Sequence, residues 1–193
     1  MKFLLVDTNP AVCQAFKEMI PELDVRCCPL DNVSPWEYQI LFTPGNSYGF
    51  MDGGFDLAVR NLFPESEGLV REKIAIEHAG LLPVGSVVDV GVQGKRLMYA
   101  PTMRIPKPIL GTDNVYLAYR AALLASMKWI QAAEQGGSNP AILLSAFGTS
   151  AGMMPYLYAA GQLKLAIRDA LSTQIQYSWS EAWLLESELK CWM

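Results

Sequence analysis

Two glycine-rich stretches hold the residues of this 193-residue chain best suited to chemistry. The first, TPGNSYGFMDGGFDLAV from Thr43 to Val59, places Asn46 ahead of a Gly53-Gly54 pair, with Phe55 and Asp56 directly behind it. Glycines just before a helix let backbone N–H groups approach a ligand closely. Those donors and the helix dipole favour a phosphate. The second stretch, SAFGTSAGMMP from Ser145 to Pro155, repeats the order strand, glycine turn, helix, with Gly148-Thr149-Ser150-Ala151-Gly152 as the turn. Two anion-holding loops at neighbouring strand ends would suit a diphosphate. Neither loop reads GxxxxGK[ST], and Asp7-Thr8-Asn9 stands where a GxGxxG would follow the first strand. The P-loop and the dinucleotide-binding fingerprint are therefore both missing.

Asn46 offers a donor and an acceptor to a diol, and it would equally well end a strand in an Asx turn. Asp56 could deprotonate a water, and it would equally well answer the dipole of the helix it opens. Other chemistries find little. His78 is the only histidine and no GxSxG is present, which disfavours a hydrolase triad. Cys13, Cys27, Cys28 and Cys191 form no CxxC pair, so neither a metal site nor a cofactor is expected, and the thiols are expected to be free, buried and in a reducing compartment. Glu65, Glu67, Glu72 and Glu77 read as an exposed helix face.

The elements that must position these residues alternate. Apolar runs at Lys2–Val6, Asp24–Cys28, Tyr38–Phe42 and Ile142–Ala146 read as strands, the third ending at Pro44-Gly45-Asn46. Ser86–Val92 and Arg96–Ala100 flank Gln93-Gly94-Lys95 and read as a hairpin. Helices are expected after Thr8 or Asn9, from Phe55 through Leu62 toward Ala79, over Asn114–Ala133, and over Pro155–Leu171. Gln135–Pro140 is expected to be a loop within the domain. Alternation of this kind predicts an α/β domain with a mostly parallel sheet and helices on both faces.

Composition agrees. An apolar fraction of 51% against 18% charged excludes a disordered chain. A net charge of −4 without basic clusters argues against DNA or RNA as partner. The most apolar stretch, Tyr116 to Ala133, carries Arg120 and Lys128, so no membrane span is expected and the protein is expected to be cytoplasmic. Trp179, Trp183 and Trp192 in the final segment call either for packing back on the core or for self-association.

The two loops together resemble the macro domain family, which binds ADP-ribose. Thr43-Pro44-Gly45-Asn46 stands where that family has an Asn-Ala-Ala-Asn strand end, Gly53-Gly54-Phe55-Asp56 falls at the matching distance, and Leu143 to Pro155 matches the second loop. The resemblance covers residues 1–171, with 172–193 as a separate Trp-rich segment. It implies a three-layer α/β/α sandwich with a mixed, mostly parallel sheet of about six strands. It also implies that Asp31, helped by Asn32, receives the adenine amino group and that Asn46 bonds the distal ribose. Gly53, Gly54 and Phe55 would hold one phosphate; Gly148, Thr149, Ser150, Ala151 and Gly152 would hold the other, with Met153 at the cleft edge. In hydrolytic members an aspartate at the place of Asp56 orients water toward the distal ribose. The family's usual glycine is replaced here by Asp52. The implied function is binding of ADP-ribose or a related NAD-derived nucleotide, free or on a protein. Turnover of an ADP-ribosyl or O-acetyl-ADP-ribose linkage, simple binding without turnover, and an assembly role remain alternatives.

Overall fold

Strand β1 (Lys2–Asp7) buries Leu4, Leu5 and Val6 completely and stops where Asp7-Thr8-Asn9 breaks the apolar run. Asn9 caps helix α1 (Pro10–Met19) by accepting the Ala11 N–H at 3.0 Å, and Pro10 occupies the first turn, where its missing N–H costs nothing. The computed structural model describes residues 1–133, 140–172 and 176–193. Strand β2 (Asp24–Cys27) follows, then short 3₁₀ turns at Leu30–Asn32 and Pro35–Glu37, and strand β3 (Ile40–Asn46).

β3 runs through Pro44 and Gly45, beyond the end expected from the sequence. Its ladder to strand β6 (Ala141–Leu144) involves only Ile40 and Leu41, so past that point one flank of β3 has no partner and a proline is tolerated. The single helix expected from Phe55 toward Ala79 is two, α2 (Gly54–Leu62) and α3 (Ser66–His78). Pro64 lies at the break, since it cannot continue a helix. The hairpin is present as β4 (Val88–Val92) and β5 (Lys95–Met103), antiparallel, turning at Gln93 and Gly94, which both have positive φ. Helices α4 (Asn114–Ala133), α5 (Tyr156–Leu171) and α6 (Trp179–Lys190) complete the described chain. The loop expected at Gln135–Pro140 lies, apart from Pro140, outside the described residues.

One six-stranded sheet results, in the order β2-β1-β6-β3-β5-β4, parallel except for β4. Each face is covered. Phe16, Tyr119 and Leu163 bring α1, α4 and α5 onto one side; Val59, Val70 and Ile74 bring α2 and α3 onto the other. This is the three-layer α/β sandwich that the alternation of elements predicts.

The C-terminal segment is anchored at its end. Ser178 and Glu181 form a capping box that starts α6. Trp192 lies over Gly161, where a Cβ would overlap the indole, and meets Tyr158 edge-on at 6.3 Å between centroids. Buried Gln162 donates to the Trp192 carbonyl at 2.7 Å and to the Thr112 carbonyl at 2.9 Å. Trp179 and Trp183 point to solvent. The cysteines are free, but only Cys13 is buried; Cys27 and Cys191 are exposed because they fall at a strand end and past the last helix. No helix among the described residues is long and apolar enough to cross a membrane.

Candidate nucleotide site

Parallel strands that end together leave their following loops on one edge of the sheet, where α/β proteins bind ligands. Here that edge carries a cavity of about 790 Å³. The β1–α1 loop, the β3–α2 loop and the β6–α5 loop all line it, so Gly53 to Asp56 and Gly148 to Gly152 face the same space.

The two glycine loops are built differently. A Cβ on Gly53 or Gly54 would meet nothing within 4 Å, so both have open space beside them. Gly53 has an extended backbone that any residue adopts, whereas Gly54 has φ +59. No side chain caps α2, and its first N–H groups have no partner within the helix. By contrast, a Cβ on Gly148 would press on Val115 and Ile109, and one on Gly152 would strike the Gly148 carbonyl. That loop is stitched by Met154 N–H to Gly148 O at 3.0 Å and Ile109 N–H to Gly152 O at 2.8 Å. Its glycines are demanded by packing, and those of the first loop are not.

Asn46 is 7% exposed and already engaged. Its Oδ1 accepts the Tyr48 N–H at 3.0 Å and the Phe50 N–H at 3.4 Å, and its Nδ2 donates to the Phe50 carbonyl at 2.8 Å. The Asx turn and the cavity position therefore coexist, and one amide hydrogen remains for a ligand. Tyr99 fixes the same residue from below: its hydroxyl donates to Asn46 O at 2.8 Å and accepts the Asn46 N–H at 2.9 Å. The phenol occupies the place where a side chain on Gly45 would stand.

Asp56 sits in the first turn of α2, its Oδ1 accepting the Leu57 N–H at 3.0 Å. Burial, opposed by that bond and reinforced by the charge of Asp52, pushes its carboxyl up to about 7. Asp7 is likewise raised, by burial against hydrogen bonds from the Asn9 and Thr8 backbone. Three residues lining the cavity are carboxylates (Asp7, Asp52 and Asp56) and none is Lys, Arg or His. Any anionic group here would have to be met by main-chain amides and not by side-chain cations. No group of three or more His, Cys, Asp or Glu able to hold a metal occurs among the described residues.

Of the residues singled out from the sequence, Asn46, Gly53, Gly54, Phe55, Asp56 and the whole of Gly148–Gly152 line this cavity. Asp31 and Asn32 lie exposed on the adjoining 3₁₀ turn, where the lining ends at Leu30, and Met153 is 69% exposed and outside the lining. Sequence reasoning missed Asp7, Thr8, Asn9, Ser145 and Tyr156, which also line it. For Asp7, Thr8, Asn9 and Ser145 the position at the carboxyl ends of β1 and β6 was the available signal, whereas Tyr156 opens α5.

No family model matches the sequence, and no protein of curated function matches it. Solved structures do. A macrodomain of Oceanobacillus iheyensis with ADP aligns at 16% identity over 80% of this chain and 84% of its own, with a TM-score of 0.56. The macrodomain of Mycobacterium tuberculosis DarG aligns at 16% identity over 69% and 83%, with a TM-score of 0.54. That of Thermus aquaticus DarG aligns at 14% identity over 86% and 90%, with a TM-score of 0.53. A variant of the Oceanobacillus protein has also been solved with ADPR. What these proteins share with this one at such identities is architecture, and the chain has the macrodomain fold.

Proposed function

We propose that the cavity binds ADP-ribose or a related NAD-derived nucleotide, with the diphosphate on the amides of Gly53–Phe55 and Gly148–Gly152 and the distal ribose near Asn46. One observation carries the reading: two glycine loops from separate strand ends face a single cavity that also holds Asn46 and Asp56. That macrodomains of the same fold have been solved with ADP and ADPR supports it. The lack of basic side chains favours a small nucleotide over DNA or RNA, whose backbone affinity comes from Lys and Arg.

Asp56 supports hydrolysis at the distal ribose. A half-buried carboxyl raised to about 7 is matched to taking a proton near neutrality. In this reaction a water oxygen bonds to the anomeric carbon, the bond to the outgoing oxygen breaks, and the water's proton passes to Asp56. The second reading, binding without turnover, is favoured by Asn46, whose amide is largely spent on its own loop. Calorimetry with ADP-ribose tests what the readings share, and no heat of binding at millimolar ligand refutes both. Release of ADP-ribose from a modified protein, lost in Asp56→Ala with affinity kept, supports turnover. Binding without release selects the second reading.

A further inference from the structure

Two of the four cysteines meet between α1 and β2. Val25 packs against the core under α1, α4 and α5, and alternation along β2 turns Cys27 to that same face. Cys28, one residue on, packs against the second core instead. Cys13 is buried on α1, and its thiol faces the Asp7 carbonyl at 3.5 Å and the Arg26 carbonyl at 3.8 Å. The exposed Cys27 is the ladder partner of Asp7, and its thiol donates to the Thr8 carbonyl at 3.8 Å. The two sulfurs thus share one cluster of main-chain carbonyls. Burial, and then the Cys27 thiol beside it, push Cys13 up to about 12.

Asp7, Thr8 and Asn9 line the cavity, so both thiols hold backbone that forms one of its edges. We propose that Cys13 and Cys27 form a reversible disulfide that ties α1 to β2 and, by removing both S–H donors from the Asp7 and Thr8 carbonyls, resets that edge of the cavity. Exposed Cys27 is the point of entry. As a thiolate it attacks a low-molecular-weight disulfide, forming a mixed disulfide and expelling one small thiolate. That thiolate takes the Cys13 proton, and the Cys13 sulfur attacks the sulfur of Cys27. The protein disulfide forms, a second small thiol leaves, and the small disulfide has gained the two electrons that the protein lost. A buried thiol that ionises with difficulty is a poor leaving group, so the bond opens slowly once made. Its effect on ligand affinity rests on the nucleotide reading above; the bond itself does not.

The test treats the native chain with oxidised glutathione and follows it by peptide mass mapping, backbone amide spectra and ADP-ribose calorimetry. A linked Cys13–Cys27 peptide is expected, with the Thr8 and Asn9 amide signals displaced and ADP-ribose bound roughly fivefold more weakly. Dithiothreitol should undo all three. Cys27→Ser, at an exposed position, should fold as wild type does, form no link, and keep the reduced protein's affinity in the same buffer. Absence of the linked peptide overturns the inference, as does a link made through Cys28 or Cys191. So does a correct link that leaves the Thr8 and Asn9 signals, or the affinity of a protein that binds ADP-ribose, unchanged. If the link forms and those signals move while neither form binds ADP-ribose, the nucleotide reading falls and the disulfide device stands.

Discussion

Replacing Asp56 by Asn swaps the ionisable group for a neutral one of the same shape. In the folded protein its carboxyl is raised from 3.8 to about 7, chiefly by burial. The sign follows. Below about pH 4 the group is protonated folded and unfolded alike, and the variant gains nothing. Between pH 4 and 7 the unfolded chain ionises while the folded one resists, so wild type loses stability as the pH rises. Above 7 the loss is complete. A shift from 3.8 to about 7 sets its ceiling at about 4 kcal/mol. Asp56→Asn should therefore match wild type at pH 4 and exceed it by up to that amount at pH 8, which is up to roughly 8–16 °C of unfolding temperature for a chain of this size. Denaturant unfolding at pH 4, 6 and 8 measures it. A gap that stays constant across this range refutes the burial argument, and with it the case for Asp56 as a base tuned to neutrality.

Three further outcomes follow from the packing. Gly53→Val should leave unfolding within about 0.5 kcal/mol of wild type, because its Cβ meets nothing, yet abolish ADP-ribose binding in a titration, because the new side chain fills the phosphate approach. Gly45→Ala should cost roughly 2–3 kcal/mol in denaturant unfolding, since its methyl group overlaps the Tyr99 phenol that holds Asn46. Trp192→Ala should cost about 3 kcal/mol and raise protease sensitivity in α6, whose end that indole holds over Gly161.

Layering and loop placement were legible because they rest on local signals. Apolar runs such as Leu4–Val6 declare buried strands, and glycines at their ends declare turns. What the sequence hid is long-range. Nothing local says that β6 leaves β3 after Leu41, which is why Pro44 can stand inside a strand. Nothing beside Gly45 announces a tyrosine from β5 lying beneath it. The two glycine pairs look alike as letters, yet Gly148 and Gly152 answer to neighbours packed against them while Gly53 and Gly54 face open space.

Backbone amide spectra recorded during a titration with ADP-ribose bear most directly on the central claim. The account predicts that the N–H signals of Gly53, Gly54 and Phe55 and those of Gly148 to Gly152 move together along one binding curve. Movement of one loop without the other, or of neither while ligand binds elsewhere, contradicts it.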